Sequence, residues 1–335
     1  MKNKFLTGLA ASLALGLVSC QGSDAPIKAD ICNANLVVLG TAQDAGKPQI
    51  GNSADPAWSN SSLIRTASSL ALVNREAATY SLFDATPDVK YQMHMLEISS
   101  EVEGLKLGEI FLTHGHMGHY LGLAQFGREA MNAKSVPVYA MPEMQNFLES
   151  NGPWDLLVKL KNIDIKPLSD DAAVKISDKI SVTPFIVPHR GEYTETVGYR
   201  IQGAAKSAIY IPDIDSWEQW NPKWYNDIDT QTSKQQDMLV GPLELLISGT
   251  DYLLLDGTFY SGDELPGRDM SKIPHPTITH TMEMLKTLDP ANRAKIRFIH
   301  LNHSNPAHDE NTNAYEDIEK AGYKLARAGE RICLD

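Results

Sequence analysis

The apolar residues of this chain come in short runs, several of them closed by glycine, proline or aspartate. Runs of four to seven such residues read as buried strands, and a spacing of three and four reads as a helix with one packed face. On that basis strands are expected at 35–40, 69–73, 78–83, 109–113 and 137–140. Further strands are expected at 179–187, 196–201, 207–211, 252–255 and 295–299. Helices are expected at 91–98 and 144–150, and a third resumes near Tyr120 with Leu121, Leu123 and Ala124 on its apolar side and Arg128 and Glu129 outward. Strand and helix patterns alternate along the chain, so the class is α/β. No repeat of 20 to 50 residues interrupts it.

Residues 5–18 form a different kind of run. It is continuously apolar apart from small residues, follows Lys2 and Lys4, and ends in Leu17-Val18-Ser19-Cys20. It is shorter than the ~20 residues a membrane-crossing helix needs, and no polar face alternates along it. The pattern is that of a signal peptide at 1–19, and its last four residues resemble a bacterial lipobox. The resemblance implies a mature chain that begins at an acylated Cys20, is exported, and is anchored by that lipid to the outer membrane, on its periplasmic or surface side. Residues 20–30 then serve as a polar tether, and 31–335 as one folded domain. The polar stretch 217–249, with Asn221-Pro222 and Gly241-Pro242, reads as a lid insertion.

Loss of Lys2 and Lys4 with the leader takes the formal charge from −12 to −14. No stripe of lysine or arginine offsets that charge, which excludes nucleic acid as a partner. Cys32 and Cys333 remain at the two ends of the domain. In an oxidising compartment they either pair, which requires the first strand and the last segment to lie side by side, or stay as two separate buried thiols. Neither stands near a histidine motif, so thiol catalysis is not expected. No glycine-rich phosphate loop is present either.

The informative segment is Thr113-His114-Gly115-His116-Met117-Gly118-His119-Tyr120. Three histidines within six positions after a buried strand each carry a donor and an acceptor that need partners. A metal ion satisfies three lone pairs at once, and Gly115 and Gly118 permit the tight backbone that lets the rings converge.

This segment is similar to the His-x-His-x-Asp-His signature of metallo-β-lactamase-fold hydrolases. Other parts of the chain match that family in order: Asp84 in Phe83-Asp84-Ala85-Thr86, His189 after a strand, Asp213 in Tyr210-Ile211-Pro212-Asp213, and His300 in Arg297-Phe298-Ile299-His300. The stretches Val38-Leu39-Gly40-Thr41-Ala42-Gln43-Asp44-Ala45-Gly46-Lys47-Pro48-Gln49, Leu255-Asp256-Gly257-Thr258-Phe259-Tyr260 and Asn302-His303-Ser304-Asn305-Pro306 resemble the pyrroloquinoline quinone biosynthesis protein B branch. The resemblance implies an αββα sandwich, two packed sheets flanked by helices. It also implies metal ligands His114, His116, His189 and Asp213 at a first position, and His119, His300 and Asp213 at a second. Gly118 departs from the signature, where the family has aspartate. The expectation is therefore one tight zinc site and a second that is weaker or absent, with iron or manganese as other metals the donors suit.

The activity so implied is that of a hydrolase using a metal-bound hydroxide on an ester, phosphodiester or lactone-like bond of a small molecule. Asp213 orients the water, and His275, His303 and Asp44 are candidates for protonating a leaving group or fixing the substrate. Each of those three equally suits a role supporting the ligands. Asp256 is either a hydrogen-bond acceptor for a ligand imidazole or a plain strand-end turn. His94, His280 and His308 read as surface. Two other classes stay open: an iron-dependent oxygenase related to the same branch, and a non-catalytic lipoprotein that binds a metal or ligand.

Overall fold

The computed structural model describes residues 32–99, 102–226 and 241–335. The leader, Cys20 and the whole of the tether lie outside the described residues, as does 227–240 of the expected lid. The strands are β1 (Ala34–Gly40), β2 (Ser69–Asn74), β3 (Thr79–Phe83), β4 (Lys106–Phe111), β5 (Val136–Ala140), β6 (Ile163–Pro167) and β7 (Val174–Lys175). They continue as β8 (Ser181–Ile186), β9 (Val197–Gln202), β10 (Ser207–Ile211), β11 (Tyr252–Asp256), β12 (Ile296–Ile299), β13 (Lys324–Leu325) and β14 (Arg331–Cys333).

They form two seven-stranded sheets, ordered β14-β1-β2-β3-β4-β5-β6 and β13-β12-β11-β10-β9-β8-β7. Each sheet is antiparallel at one side and parallel at the other: β3 to β6 run parallel in the first, β10 to β13 in the second. The side-chain alternation of β1 shows why two layers of helices are needed. Leu36 and Val38 pack between the sheets with Phe83, Phe111 and Tyr210. Val37 and Leu39 face the other way, against Leu96, Leu123 and Leu148 of the helical layer. The second sheet repeats this, with Ile209, Leu253 and Phe298 under Leu246, Ile278 and Ile318. Strands buried on both faces read as continuous apolar runs, and the outcome is the expected αββα sandwich.

Between the sheets, Phe83 stacks on Phe111 with centroids 5.3 Å apart, and Tyr199 meets both edge-on. The Tyr199 hydroxyl donates to the carbonyl of Leu112, which ties the second sheet to the residue two places before the first histidine. At the sheet edge, β14 returns to pair antiparallel with β1, setting Asn35 opposite Cys333. Cys32 and Cys333 are joined by a disulfide, with Cα atoms 5.8 Å apart.

Several elements differ from expectation. The helix near Tyr120 is a single turn, Met117–Tyr120, followed by a 3₁₀ segment, Leu121–Phe126. The regular helix yields because the chain must pass close to another backbone: a Cβ on Gly122 would lie 2.0 Å from the carbonyl oxygen of Thr86. At the start of the expected lid, Trp217 and Trp220 are buried and donate to Thr281 Oγ1 and to the Ile186 carbonyl, both at 2.9 Å. His308 is half-buried rather than exposed, and its Nε2 lies 3.0 Å from the carbonyl of Asn302. Among the described residues, no helix is long and apolar enough to cross a membrane.

Candidate metal centre

Strand direction collects the polar residues at one edge. Asp84 follows β3, the histidine segment follows β4, His189 follows β8, Asp213 follows β10, Asp256 ends β11 and His300 follows β12. The carboxyl ends of parallel strands are where such sheets leave a crevice for ligands. Asp84 and His300 both have φ of 66°. Backbone held in the left-handed region costs of order 1–3 kcal/mol and gathers at functional sites.

Asp213 Oδ2 is the hub. His189 Nε2 lies 3.3 Å from it, His114 Nε2 3.5 Å, His300 Nε2 3.8 Å and His119 Nε2 3.9 Å. His116 enters through its other nitrogen, with Nδ1 at 2.9 Å from His114 Nε2 and 3.1 Å from His189 Nε2. Ligands about 2.0–2.1 Å from a tetrahedral zinc ion are separated by about 3.3–3.4 Å from one another. The set His114, His116, His189 and Asp213 has that scale, and its donor atoms all lie within 4.8 Å of one another.

The outward nitrogen of every ring is fixed by an acceptor, so the inward nitrogen keeps its lone pair. His119 Nδ1 lies 2.7 Å from Asp84 Oδ2, and His189 Nδ1 lies 2.7 Å from Asp215 Oδ1. Thr113 Oγ1 sits 3.0 Å from His114 Nδ1, and Thr258 Oγ1 sits 3.0 Å from His300 Nδ1. His116 turns its Nε2 outward to Glu192 Oε2 at 3.1 Å. Gly115 donates its N–H to Thr194 Oγ1 at 2.8 Å, and a Cβ on Gly115 would meet that same side chain at 2.7 Å.

The electrostatics suit a cation. Burial and the neighbouring His119 push the His114 ring well below its usual range, leaving it neutral. Burial works against ionising Asp213, yet His189, His300 and His275 hold its carboxyl well below the usual carboxylate range. Burial opposes positive charge on His119, but Asp84 and Asp44 raise its pKa well above the usual value, so the carboxylates around this ring favour a positive charge there, whether a proton or a metal ion at Nε2. At this site five buried side-chain atoms have no hydrogen-bond partner among the described residues: Asp44 Oδ1, His119 Nε2, Asp213 Oδ1, His275 Nε2 and His300 Nε2. Buried polar atoms are almost always satisfied. Five unsatisfied ones gathered at one edge fit a metal centre.

All six expected metal ligands therefore meet. His275 joins them, with Nδ1 at 2.9 Å from Asp256 Oδ2 and 3.3 Å from Asp213 Oδ1. Burial would lower its pKa, but Asp256 and Asp213 raise it to about 9. Asp256 is thus a hydrogen-bond acceptor for an imidazole, that of His275, and it accepts from Thr258 as well. Asp44 joins too, with Oδ1 at 3.2 Å from His119 Nε2. His303 does not share these contacts: its Nδ1 is 3.3 Å from Asn52 Nδ2, and its carbonyl accepts from Lys47 Nζ at 3.1 Å. It ties two loops together because that amide and ammonium lie beside it. His280 pairs with Glu218 and His94 with Glu97, both exposed. Sequence reasoning missed Asp215, Glu192, Thr113, Thr258 and Thr194. Only Asp215, two residues beyond Asp213, and Thr258, two beyond Asp256, carried a positional hint.

The comparisons with known proteins agree with this fold. Coenzyme PQQ synthesis protein B of Methylobacterium sp. (strain 4-46) is 24% identical over 89% of this chain and 99% of its own length. The crystal structure of Zn(2+)-bound PqqB from Methylobacterium extorquens superposes with a TM-score of 0.68 at 23% identity, covering 89% of this chain and 99% of that one. A structure described as a new diphosphatase from the PhnP family gives 0.59 at 23% identity, covering 90% and 98%. The family model described as the beta-lactamase superfamily domain matches residues 79–301, from β3 to just past His300, and the chain belongs to that family, in its metallo-β-lactamase fold.

Proposed function

We propose that the protein is a metal-dependent hydrolase acting on an ester, phosphodiester or lactone-like bond of a small molecule. The observation that carries this reading is the convergence of four imidazoles on Asp213 Oδ2, with His116 against two of them and the outer nitrogens already fixed. The hydrolytic neighbour of the PhnP family supports it, as does the zinc-bound relative. Zinc in such a donor set supplies Lewis-acid polarisation of a substrate oxygen and acidifies water to a pKa of about 7.

The chain's own residues do the rest. Asp213, kept charged in a buried setting, orients the attacking water through its carboxylate. His275 holds a proton at neutral pH and has a buried, unpartnered Nε2 from which to give it to a leaving-group oxygen. Asp84, Asp215, Thr113 and Thr258 lock the rings so that no reorganisation is needed during the reaction. The site opens to solvent at His116, Asp44 and Glu192, whose side chains are 18%, 39% and 58% exposed.

A second reading has its own observation. Asp44, His119 and His300 make a set of two histidines and one carboxylate, which also suits iron(II) and oxygen chemistry. One experiment separates the readings: metal quantification of protein purified without added metal, then a panel of phosphodiesters, esters and lactones assayed with the metal found. Zinc with turnover supports the hydrolase. Iron with no hydrolysis, or no metal at all, defeats it.

The proposed setting is export, with a lipid on Cys20 anchoring the domain to the outer membrane. The Cys32–Cys333 disulfide supports an oxidising compartment. Palmitate labelling that survives Cys20→Ala would rule the anchor out.

A further inference from the structure

We propose that Asp44 is a ligand of the second metal position, replacing from the loop after β1 the carboxylate that Gly118 removes from the histidine segment. This rests on the metal-centre reading above. An aspartate at position 118 has no room, because a Cβ built on Gly118 falls 2.3 Å from both the Cα and Oδ1 of Asp44. The backbone of Asp44 thus occupies the space that a side chain at 118 would need. The glycine and the aspartate are two halves of one substitution, a ligand moved from one loop to another.

Position, burial and rigidity agree with that role. Asp44 Oδ1 lies 3.2 Å from His119 Nε2 and 3.8 Å from His300 Nε2, and the three donors form a compact group. Each of these atoms is buried without a hydrogen-bond partner. The side chains of His119 and His300 are 1% and 0% exposed, and Asp213 Oδ2 approaches the same two nitrogens at 3.9 and 3.8 Å. Four donors at this spacing, Asp44, His119, His300 and Asp213, suit a second cation next to the first.

The segment bearing Asp44 is held from both sheets. Ala42 bridges to Ala67, just ahead of β2 of the first sheet, and to Leu301 after β12 of the second. The Gln43 N–H donates to the Leu301 carbonyl at 2.9 Å, and the Leu301 N–H donates to the Thr41 carbonyl at 2.9 Å. The Gln43 side chain accepts from Asn302. Gly46, with φ of +70°, turns the chain directly afterwards and donates to the Gln43 carbonyl at 2.8 Å. Asp44 is therefore fixed beside His300 by the same strand edge that carries His300. A ligand prepositioned in this way loses little conformational entropy on binding.

The test is zinc stoichiometry and affinity on the full chain, by equilibrium dialysis and calorimetry. The wild type should bind two zinc ions. Asp44→Asn keeps the shape and removes the charge, and should retain the first ion while the second weakens by about tenfold or more. Gly118→Ala should produce the same selective loss by displacing Asp44 while leaving its charge intact. It carries the test alone should Asp44→Asn fail to fold. Two ions held by both variants with wild-type affinity would overturn the inference, as would a wild type that takes up one ion only. A wild type that binds no zinc overturns the metal-centre reading itself, a result distinct from either of those.

Discussion

Thr113 and Thr258 perform the same task on opposite sheets. Each hydroxyl donates to a buried carboxylate, Thr113 to Asp84 at 3.0 Å and Thr258 to Asp256 at 2.7 Å. Each then has its oxygen free to accept from a histidine Nδ1 at 3.0 Å, that of His114 or of His300. The carboxylate fixes which way the hydroxyl points, and the hydroxyl fixes which ring nitrogen carries the proton. Valine is nearly the same shape and cannot do this. Thr113→Val and Thr258→Val are each expected to cost about 10–100-fold in metal affinity, measured by competition with a chelator. Affinities unchanged in both would show that packing alone orients the rings.

Asp215 and Glu192 also hold histidines of the proposed metal site, but in different surroundings. Asp215 is 20% exposed and meets a fully buried His189 ring at 2.7 Å, whereas Glu192 is 58% exposed and meets His116 at 3.1 Å. Exposed pairs of this kind are worth about 0–1 kcal/mol, and buried ones considerably more. Asp215→Asn should therefore weaken the first metal by about 10–100-fold, and Glu192→Gln by less than about fivefold. Equal effects in the same chelator assay would contradict the ranking by burial.

How far the sequence reveals this site depends on whether a residue acts within its own strand end or across a distance. The proposed ligands His114, His116, His119, His189, Asp213 and His300, which the structure brings together, could be picked out because each sits in a short motif after an apolar run. Asp44 was visible as a residue of interest, but its role depends on where the 41–46 loop meets Gly118, a contact 74 positions apart in the chain. Glu192 and Thr194 carry no local pattern at all. The same holds for the fold. The central strands β1 to β5 and β8 to β12 are apolar enough to read directly. Edge strands are not: β6 reads Ile-Asp-Ile-Lys-Pro, with polar residues facing water, and β14 is three residues long and is a strand only because β1 lies beside it. The pairing of Cys32 with Cys333 was one of two open alternatives for the same reason, since it depends on that docking.

The disulfide closes a loop of 301 residues and joins β14 to the chain just ahead of β1. Constraining so long a loop in the unfolded state is worth about 2–4 kcal/mol in typical proteins. The docking of β14 does not depend on it alone, because the Asp335 carboxylate also accepts from the N–H groups of Asn33 and Ala34 at 2.6 and 3.1 Å. The double variant Cys32→Ser with Cys333→Ser should accordingly stay folded with full zinc content, yet unfold in urea with a free energy lower by about 2–4 kcal/mol. An unchanged midpoint would mean that the terminal strand frays without affecting the global transition.

His275 offers the sharpest test of mechanism, because its two possible roles predict different patterns rather than different amounts. As an acid, it gives a proton from Nε2 to the departing oxygen, so its removal matters most when that oxygen is a poor leaving group. As a structural brace, it holds Asp213 and Asp256 through Nδ1 at 3.3 and 2.9 Å, so its removal harms every substrate alike and loosens the metal. Asp256 keeps the Thr258 side chain and the Ile214 N–H when the ring is gone, which protects the fold. His275→Asn is expected to lower kcat by about 10²–10⁴-fold on alkyl esters or alkyl phosphodiesters. On nitrophenyl substrates, whose leaving group departs as a stable anion, kcat should change little, and zinc content should match the wild type. A loss that is the same for both substrate types, or that follows zinc content, would remove His275 from the chemistry and leave it as a support for Asp213.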